Sequence, residues 1–224
     1  MQRYEKYDNF TAIMAIVLYI HGMGGGGDSR IPSVLSEALN CRGVDVIVRT
    51  YDFDPDSGAR QVSRWVEELN PSLVIGESLG ALHALRVCGV PHLFVSPALN
   101  TPVYFRFLAW LTLIPGVSMI FDRIYRPKDG DRQPLHFCYR ILRKYHSHRF
   151  RALTNSPVNG SADDFHAFFG MRDHYRRSGI VSVRTWKKYF GDTYTLYDGT
   201  HFMEEEFIHE LLVPKILEYI QKRP

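Results

Sequence analysis

The sequence has little cysteine, no long uninterrupted apolar run and almost no net charge. Its three cysteines (Cys41, Cys88 and Cys138) are odd in number and contain no C-x-x-C pair, which argues against a disulfide framework or a zinc site. They predict reduced thiols and a cytoplasmic location. The longest apolar stretch, residues 103–121, is interrupted by an arginine and a Pro-Gly pair, so no transmembrane segment is expected. A net charge of +3 and a polar start predict neither a nucleic-acid partner nor a secretory signal.

What is present is a regular alternation of strand-like and helix-like segments. This alternation is typical of a parallel sheet with helices on both faces, and 224 residues suit one such domain. The predicted strands are residues 13–20, 44–49, 73–76, 92–96, 164–170 and 193–197. The predicted helices are residues 32–40, 59–69, 81–87, 180–190 and 204–221. The alternation breaks at about residues 100–159, which we interpret as an inserted lid, because connections this long are usually functional.

The most informative motif is Gly76-Glu77-Ser78-Leu79-Gly80, which lies between a predicted strand and a predicted helix. A serine between two glycines at such a turn is the pattern of a nucleophile elbow. The tight turn drives the serine into a strained conformation and requires small neighbours. Ser78 is therefore the candidate nucleophile; the alternative is an ordinary tight turn.

A serine hydroxyl needs a general base, and that base needs an acid to orient it. Asp173 follows the predicted strand at 164–170, and His201 follows the strand at 193–197, so both are expected at the edge of the sheet where the elbow opens. We predict Asp173 as the acid and His201 as the base. For the acid, Asp163, Asp164 and Asp198 remain alternatives. No third metal ligand accompanies His146 and His148, so no metal site is predicted.

The glycine run after the first predicted strand, His21-Gly22-Met23-Gly24-Gly25-Gly26-Gly27, allows two interpretations. In the first, the backbone amides of Met23 and Leu79 form an oxyanion hole. In the second, Gly22, Gly24 and Gly27 match the G-x-G-x-x-G pattern of a dinucleotide site, with a downstream acid (Asp45, Asp52 or Asp54) binding a ribose. The second interpretation leaves the elbow and the two later loops unexplained. The absence of a following Gly-Lys-Ser/Thr excludes a P-loop.

As a set, the motifs at residues 21–24, 76–80, 170–173 and 199–201 resemble the α/β-hydrolase superfamily, and most of all its small single-domain bacterial serine esterases. The resemblance covers residues 13–220, with residues 100–159 in the place of the family's variable lid. It implies a three-layer α/β/α sandwich with a six-stranded parallel sheet in the order 2-1-3-4-5-6, and we expect residues 1–224 to form this one domain. It implies hydrolysis of an ester, thioester or amide through an acyl-enzyme, with a Ser78-Asp173-His201 triad and no cofactor. The alternatives are a non-catalytic binding protein of the same fold and a dinucleotide-binding oxidoreductase.

Substrate contacts are expected from His21 and Gly22 in the glycine loop, from Glu77 beside the nucleophile, and from Phe105 and Trp110 in the apolar part of the insert.

Residues 122–151 carry nine Lys/Arg and three Asp/Glu. An apolar segment beside a basic one can close over a lipophilic acyl chain with an anionic end, or touch an anionic membrane surface. The alternative is a lid that packs on the domain and leaves its basic face in water.

Overall fold

A computed structural model describes residues 15–126 and 129–222 of the chain. Its centre is a six-stranded, all-parallel sheet in the order β2-β1-β3-β4-β5-β6, as predicted. The strands are β1 (Ala15–Ile20), β2 (Val44–Val48), β3 (Leu73–Glu77), β4 (His92–Val95), β5 (Phe165–Gly170) and β6 (Tyr194–Tyr197). Positions 13 and 14 of the first predicted strand lie outside the described residues. The predicted fold class is confirmed.

Helices cover both faces of the sheet, and the alternation of side chains along each strand shows why. In β1, Leu18 and Ile20 belong to one buried cluster, whereas Val17 and Tyr19 belong to a second cluster on the opposite face. A strand buried on both faces must be apolar throughout, as the residues of β1 are. The helices are α1 (Arg30–Asn40), α2 (Pro55–Leu69), α3 (Ala81–Ala84), α4 (Thr101–Leu111), α5 (Val117–Ile124), α6 (Tyr139–Thr154), α7 (Tyr175–Ser178), α8 (Val183–Phe190), α9 (Glu205–Phe207) and α10 (Val213–Gln221).

Helix α2 begins four residues before its predicted start. The Asp54 carboxylate accepts hydrogen bonds from the backbone amides of Asp56 and Ser57, and Pro55 occupies the first turn. Proline is compatible with that position because the first amides of a helix have no partner within the helix. The sequence Pro-Asp-Ser-Gly, which is typical of a turn, is here a capped helix start.

The predicted last helix, residues 204–221, is interrupted. A π-helical segment, Ile208–Leu212, separates α9 from α10, and Pro214 lies in the first turn of α10. Proline cannot donate the next helical hydrogen bond, and its ring collides with the carbonyl one turn earlier, so the helix widens before it. The third predicted helix is also shorter than expected, because a 3₁₀ turn, Ser78–Gly80, precedes the four residues of α3.

The insert contains α4, α5 and α6, and no strand occurs among its described residues. Its two halves differ in burial. Leu142, Tyr145 and Ala152 of α6 are fully buried and belong to the core on one face of the sheet. Helix α4 packs on α6, whereas α5 lies farther out. Across the described residues no helix combines the length and apolarity that crossing a membrane requires.

Candidate active site

Ser78 lies at the end of β3, in the sharp turn that the motif predicts. Its φ angle is +49°, a left-handed conformation that is strained for a residue with a side chain. The flanking glycines are required sterically. A Cβ atom on Gly80 would lie 2.3 Å from the His21 carbonyl oxygen, and one on Gly76 would lie 2.8 Å from Ala81 Cα. The turn therefore projects Ser78 at the carboxyl end of the sheet.

His201 and Asp173 lie in the loops after β6 and β5, at the same edge of the sheet as Ser78. The Ser78 hydroxyl is 3.0 Å from His201 Nε2, and His201 Nδ1 is 2.8 Å from Asp173 Oδ2. A neutral imidazole with its proton on Nδ1 satisfies both contacts, donating to the carboxylate and accepting from the hydroxyl. Both His201 and Asp173 are almost fully buried. The structure thus joins three residues, 95 and 28 positions apart in sequence order, in one chain of hydrogen bonds.

The two loops that carry His201 and Asp173 are bonded to each other. The Arg172 amide donates to the Gly199 carbonyl at 2.9 Å, which joins the two loops. Within the loop that carries His201, the Thr200 amide donates to the Glu204 carboxylate at 3.1 Å. The second Asp173 oxygen accepts from the Tyr175 amide at 2.8 Å. The Asp173 carboxylate is therefore fixed by a backbone amide as well as by His201.

The glycine loop lies directly against Ser78, the candidate nucleophile. A Cβ on Gly22 would be 3.0 Å from Ser78 Cβ. The Tyr51 hydroxyl donates to the His21 carbonyl at 3.0 Å, and His21 Nδ1 donates to the Gly22 carbonyl at 2.7 Å. His21 is thus buried beneath the loop, stacked on Tyr51, and does not line the cavity described below.

Gln133 also anchors this loop, and sequence reasoning missed it. Its side-chain oxygen accepts from the Gly24 amide at 3.1 Å, its side-chain nitrogen donates to the Tyr51 carbonyl at 3.0 Å, and its own amide donates to the Gly25 carbonyl at 2.7 Å. Gln133 lies in the insert, over one hundred positions from the loop, and no local motif marks it.

Solved structures were compared with this fold. Est1E from Butyrivibrio proteoclasticus is 18% identical, with a TM-score of 0.67 over 96% of this chain and 91% of that chain. The esterase domain of a Rhodothermus marinus protein is 18% identical, with a TM-score of 0.58 over 95% and 90%. The type II thioesterase BorB from the borrelidin biosynthetic cluster is 17% identical, with a TM-score of 0.54 over 97% and 95%. The chain has the α/β-hydrolase fold. No family model and no curated protein matches the sequence.

In this α/β-hydrolase fold a cavity of about 690 Å³ opens in front of Ser78. Its wall is mostly apolar and includes Met23, Leu79, Tyr104, Phe105, Leu108 and Ile180. Of the predicted substrate contacts, Gly22, Glu77 and Phe105 line the cavity. Trp110 does not line it. It is five residues beyond Phe105, roughly 140° around the helix, and it stays 57% exposed with its ring edge on Tyr139.

Glu77 is a buried carboxylate beside Ser78, the candidate nucleophile. Burial raises its pKa, and hydrogen bonding from the Tyr19 hydroxyl, at 2.9 Å, acts in the opposite direction. Tyr19 lies on β1 and is fully buried, and its own pKa is raised strongly, first by burial and then by the charge of Glu77. The pair connects the two central strands directly under the elbow.

The alternative acids are engaged elsewhere. The Asp163 carboxylate accepts from the Gly89 amide at 3.0 Å, at the opposite edge of the sheet. Asp198 is exposed and pairs with Arg172 at 3.1 Å. Asp164 lies before β5, where its carbonyl accepts from the His92 amide.

The structure leaves little space at the glycine loop for a dinucleotide. A Cβ on Gly26 would lie 1.7 Å from the Asp131 carbonyl oxygen, so the insert covers the end of the loop. Asp54, one of the candidate ribose ligands, caps α2 and binds Lys144 Nζ at 2.5 Å. Among the described residues no group of three or more His, Cys, Asp and Glu side chains is arranged to hold a metal ion.

Proposed function

We propose that the protein is a serine hydrolase that cleaves a carboxylic ester or thioester through an acyl-enzyme. The observation that carries the proposal is the continuous hydrogen-bond chain from the Ser78 hydroxyl through His201 to Asp173. A strained serine hydroxyl next to a buried imidazole and carboxylate is the arrangement that nucleophilic acyl transfer requires. The esterases and the thioesterase that share this fold support the same reaction class.

In the proposed reaction, Ser78 Oγ attacks the substrate carbonyl while His201 Nε2 takes the hydroxyl proton. Asp173 keeps the Nδ1 proton in place and stabilises the imidazolium that forms. The backbone amides of Met23 and Leu79 are assigned to the developing oxyanion. His201 then gives its proton to the leaving alcohol or thiol. A water molecule, deprotonated by the same imidazole, releases the acid and restores Ser78, so no cofactor is required.

The cavity supports an acyl group with substantial apolar surface. Tyr104, Phe105 and Leu108 on α4 form one side, and we propose that α4 acts as a lid over the substrate. Est1E has been solved with ferulic acid bound, an aromatic acid that gives one example of a suitable size.

The proposal is tested with a fluorophosphonate probe, which reacts with activated serine hydroxyls. We expect labelling of the wild type and none of Ser78→Ala. Ser36→Ala, on the outer helix α1, is the control and should label like the wild type. Both variants are also assayed on p-nitrophenyl acetate.

Labelling that persists in Ser78→Ala would exclude Ser78 as nucleophile. A wild type that neither labels nor turns over esters, but retains a small ligand, would favour the non-catalytic binding protein. Co-purification of NAD(P) would favour the oxidoreductase.

A further inference from the structure

Helix α5 is apolar, yet none of its eight residues, all of them described by the structure, is buried. Phe121 faces inward and contacts Phe137, with ring centroids 5.9 Å apart. Met119, Ile120 and Ile124 lie on the outer surface of the same helix and are 76%, 57% and 65% exposed. Exposed apolar side chains are normal when scattered, but a cluster on one helix face marks a binding surface.

Helix α4 and the turn that follows it continue this pattern. The side of α4 away from the cavity carries Phe107 and Trp110, which are 67% and 57% exposed. Further exposed apolar residues of this stretch are Val103, Leu111, Leu113 and Ile114. We call the exposed apolar residues of 103–124 the apolar surface. Because Tyr104, Phe105 and Leu108 of the same helix line the cavity, the apolar surface adjoins the cavity wall.

The segment that carries the apolar surface is mostly positive in charge. Residues 101–126 contain three arginines (Arg106, Arg123 and Arg126), all exposed, and one acid, Asp122. Asp122 is already engaged, since its carboxylate contacts His136 Nδ1 at 2.6 Å and accepts from the Phe137 amide at 2.9 Å. Arg143 adds a further cation near this surface, because its guanidinium lies over the Tyr139 ring, which Trp110 also contacts.

We propose that the apolar surface docks the protein on an anionic lipid membrane. The exposed Trp and Phe rings and the aliphatic side chains enter the region between headgroups and acyl chains, and the arginines bind lipid phosphates. Amphipathic helices with this combination lie in the membrane plane. This orientation turns the cavity wall formed by α4 toward the lipid.

A second copy of the chain fits the same surface less well. A two-fold contact brings identical patches together. Such a contact would gather Arg106, Arg123 and Arg126 of both copies in one interface, and Asp122, the acid of this stretch, is already bonded within its own chain. Lipid phosphates supply the negative charge that a second copy lacks here.

The test is co-sedimentation of the purified protein with vesicles of phosphatidylcholine alone and of phosphatidylcholine mixed with phosphatidylglycerol. We expect binding to the mixed vesicles. The variant Met119→Ser/Ile120→Ser/Ile124→Ser should bind on the order of tenfold less, because three apolar side chains are lost from the bilayer. Arg123→Gln and Arg126→Gln should each weaken binding roughly fivefold on mixed vesicles, and the effect should vanish in high salt.

Matched controls lie at the opposite edge of the sheet. Val158→Ser removes an equally exposed apolar side chain (67%), and Arg42→Gln removes an exposed cation. Both should bind vesicles like the wild type. The circular dichroism spectrum and the urea unfolding midpoint of the α5 variant should match those of the wild type, which verifies its fold without reference to activity.

Failure of the wild type to bind mixed vesicles would overturn the proposal. So would a concentration-dependent dimer that the α5 variant loses, because that result assigns the apolar surface to a second copy. The proposal does not depend on the proposed reaction, since Ser78→Ala is expected to bind vesicles like the wild type.

Discussion

The Tyr19 hydroxyl donates a hydrogen bond of 2.9 Å to the Glu77 carboxylate, inside the protein and directly before the candidate nucleophile. The two residues lie on adjacent strands, β1 and β3, and Glu77 is only 8% exposed. Burial penalises the ionised form of Glu77 and raises its pKa, whereas the hydrogen bond favours the ionised form. The hydrogen bond therefore stabilises the ionised form of Glu77, which burial destabilises.

We predict that Tyr19→Phe lowers the free energy of unfolding by about 1–3 kcal/mol, because a buried acceptor loses its donor. The loss should grow with pH. The variant raises the folded-state pKa of Glu77 further, and stability that depends on the protonated form is lost as the pH rises through that pKa. Urea unfolding between about pH 5 and about pH 8 measures the effect.

The control is Tyr19→Phe/Glu77→Gln, in which no carboxylate remains to titrate. Its unfolding free energy should lose the extra pH dependence of the single variant. An equal pH dependence in both variants would show that another group is responsible.

The sheet was predictable from sequence because each central strand is a short apolar run with a glycine, serine or proline at its end or within the next two residues. Val17 to Ile20 and Leu73 to Ile75 are buried on both faces, so hydrophobicity alone marks them. The start of α2 was not predictable in the same way, since Pro55 and Gly58 favour a turn unless the capping by Asp54 is known.

The candidate site likewise has a part that the sequence predicts and a part that it does not. Ser78, Asp173 and His201 each follow a strand, and parallel strands bring such positions to one edge. Contacts made through the insert have no periodic signal. Gln133 reaches the glycine loop from a segment of irregular structure, and the side of α4 that faces the cavity depends on packing against α6.

The buried histidine His148 makes the fold sensitive to acid. Its ring packs on His83, with centroids 4.4 Å apart, and neither ring nitrogen has a hydrogen-bond partner among the described residues. Burial, with a smaller contribution from the charge of Arg86, lowers its pKa to about 3. In the unfolded chain the pKa of histidine is about 6.5. The unfolded state therefore binds the proton first, and stability falls as the pH decreases from about 6.5 toward about 3.

Below about pH 6, the unfolding free energy of the wild type should fall as the pH decreases. We predict that this slope is smaller in His148→Leu, by up to about 1.4 kcal/mol per pH unit. Urea unfolding at a series of pH values measures the slope. His146→Leu, exposed on the same helix, is the control and should keep the wild-type slope. Equal slopes in the wild type and His148→Leu would contradict the prediction.

The turn at Ser78 leaves no space for a side chain at Gly80. A Cβ there would meet two backbone carbonyl oxygens, those of His21 at 2.3 Å and Ile20 at 2.4 Å, and neither can move without shifting β1. We expect Gly80→Ala to lower the unfolding free energy by about 3 kcal/mol or more. Gly43→Ala separates this clash from backbone strain. Its φ is +71° with open space around it, so about 1–2 kcal/mol is expected. Similar losses in both variants would refute the steric argument.

Asp173→Asn tests the proposed acid. Asparagine keeps the shape of the side chain but no longer favours the proton on His201 Nδ1, so the imidazole is left in the wrong tautomer to accept from Ser78. We expect kcat for p-nitrophenyl esters to fall by about 10⁴-fold, with KM little changed. Asp198→Asn is the matched control and should retain wild-type kcat, since Asp198 is exposed and paired with Arg172. A large loss of kcat in Asp198→Asn, with wild-type kcat in Asp173→Asn, would assign the role of the acid to Asp198.

The cavity wall formed by α4 predicts the length of the acyl chain. With about 690 Å³ and mostly apolar lining, the wild type should prefer hexanoyl over acetyl p-nitrophenyl esters, by roughly tenfold or more in kcat/KM. Leu108→Trp fills part of this space and should abolish that preference while leaving acetyl turnover near the wild-type level. Leu113→Trp, at an exposed position just past the same helix, should leave the wild-type ranking intact. A wild type that prefers acetyl, or a Leu108→Trp variant that ranks the esters as the wild type does, would place the acyl chain outside this cavity.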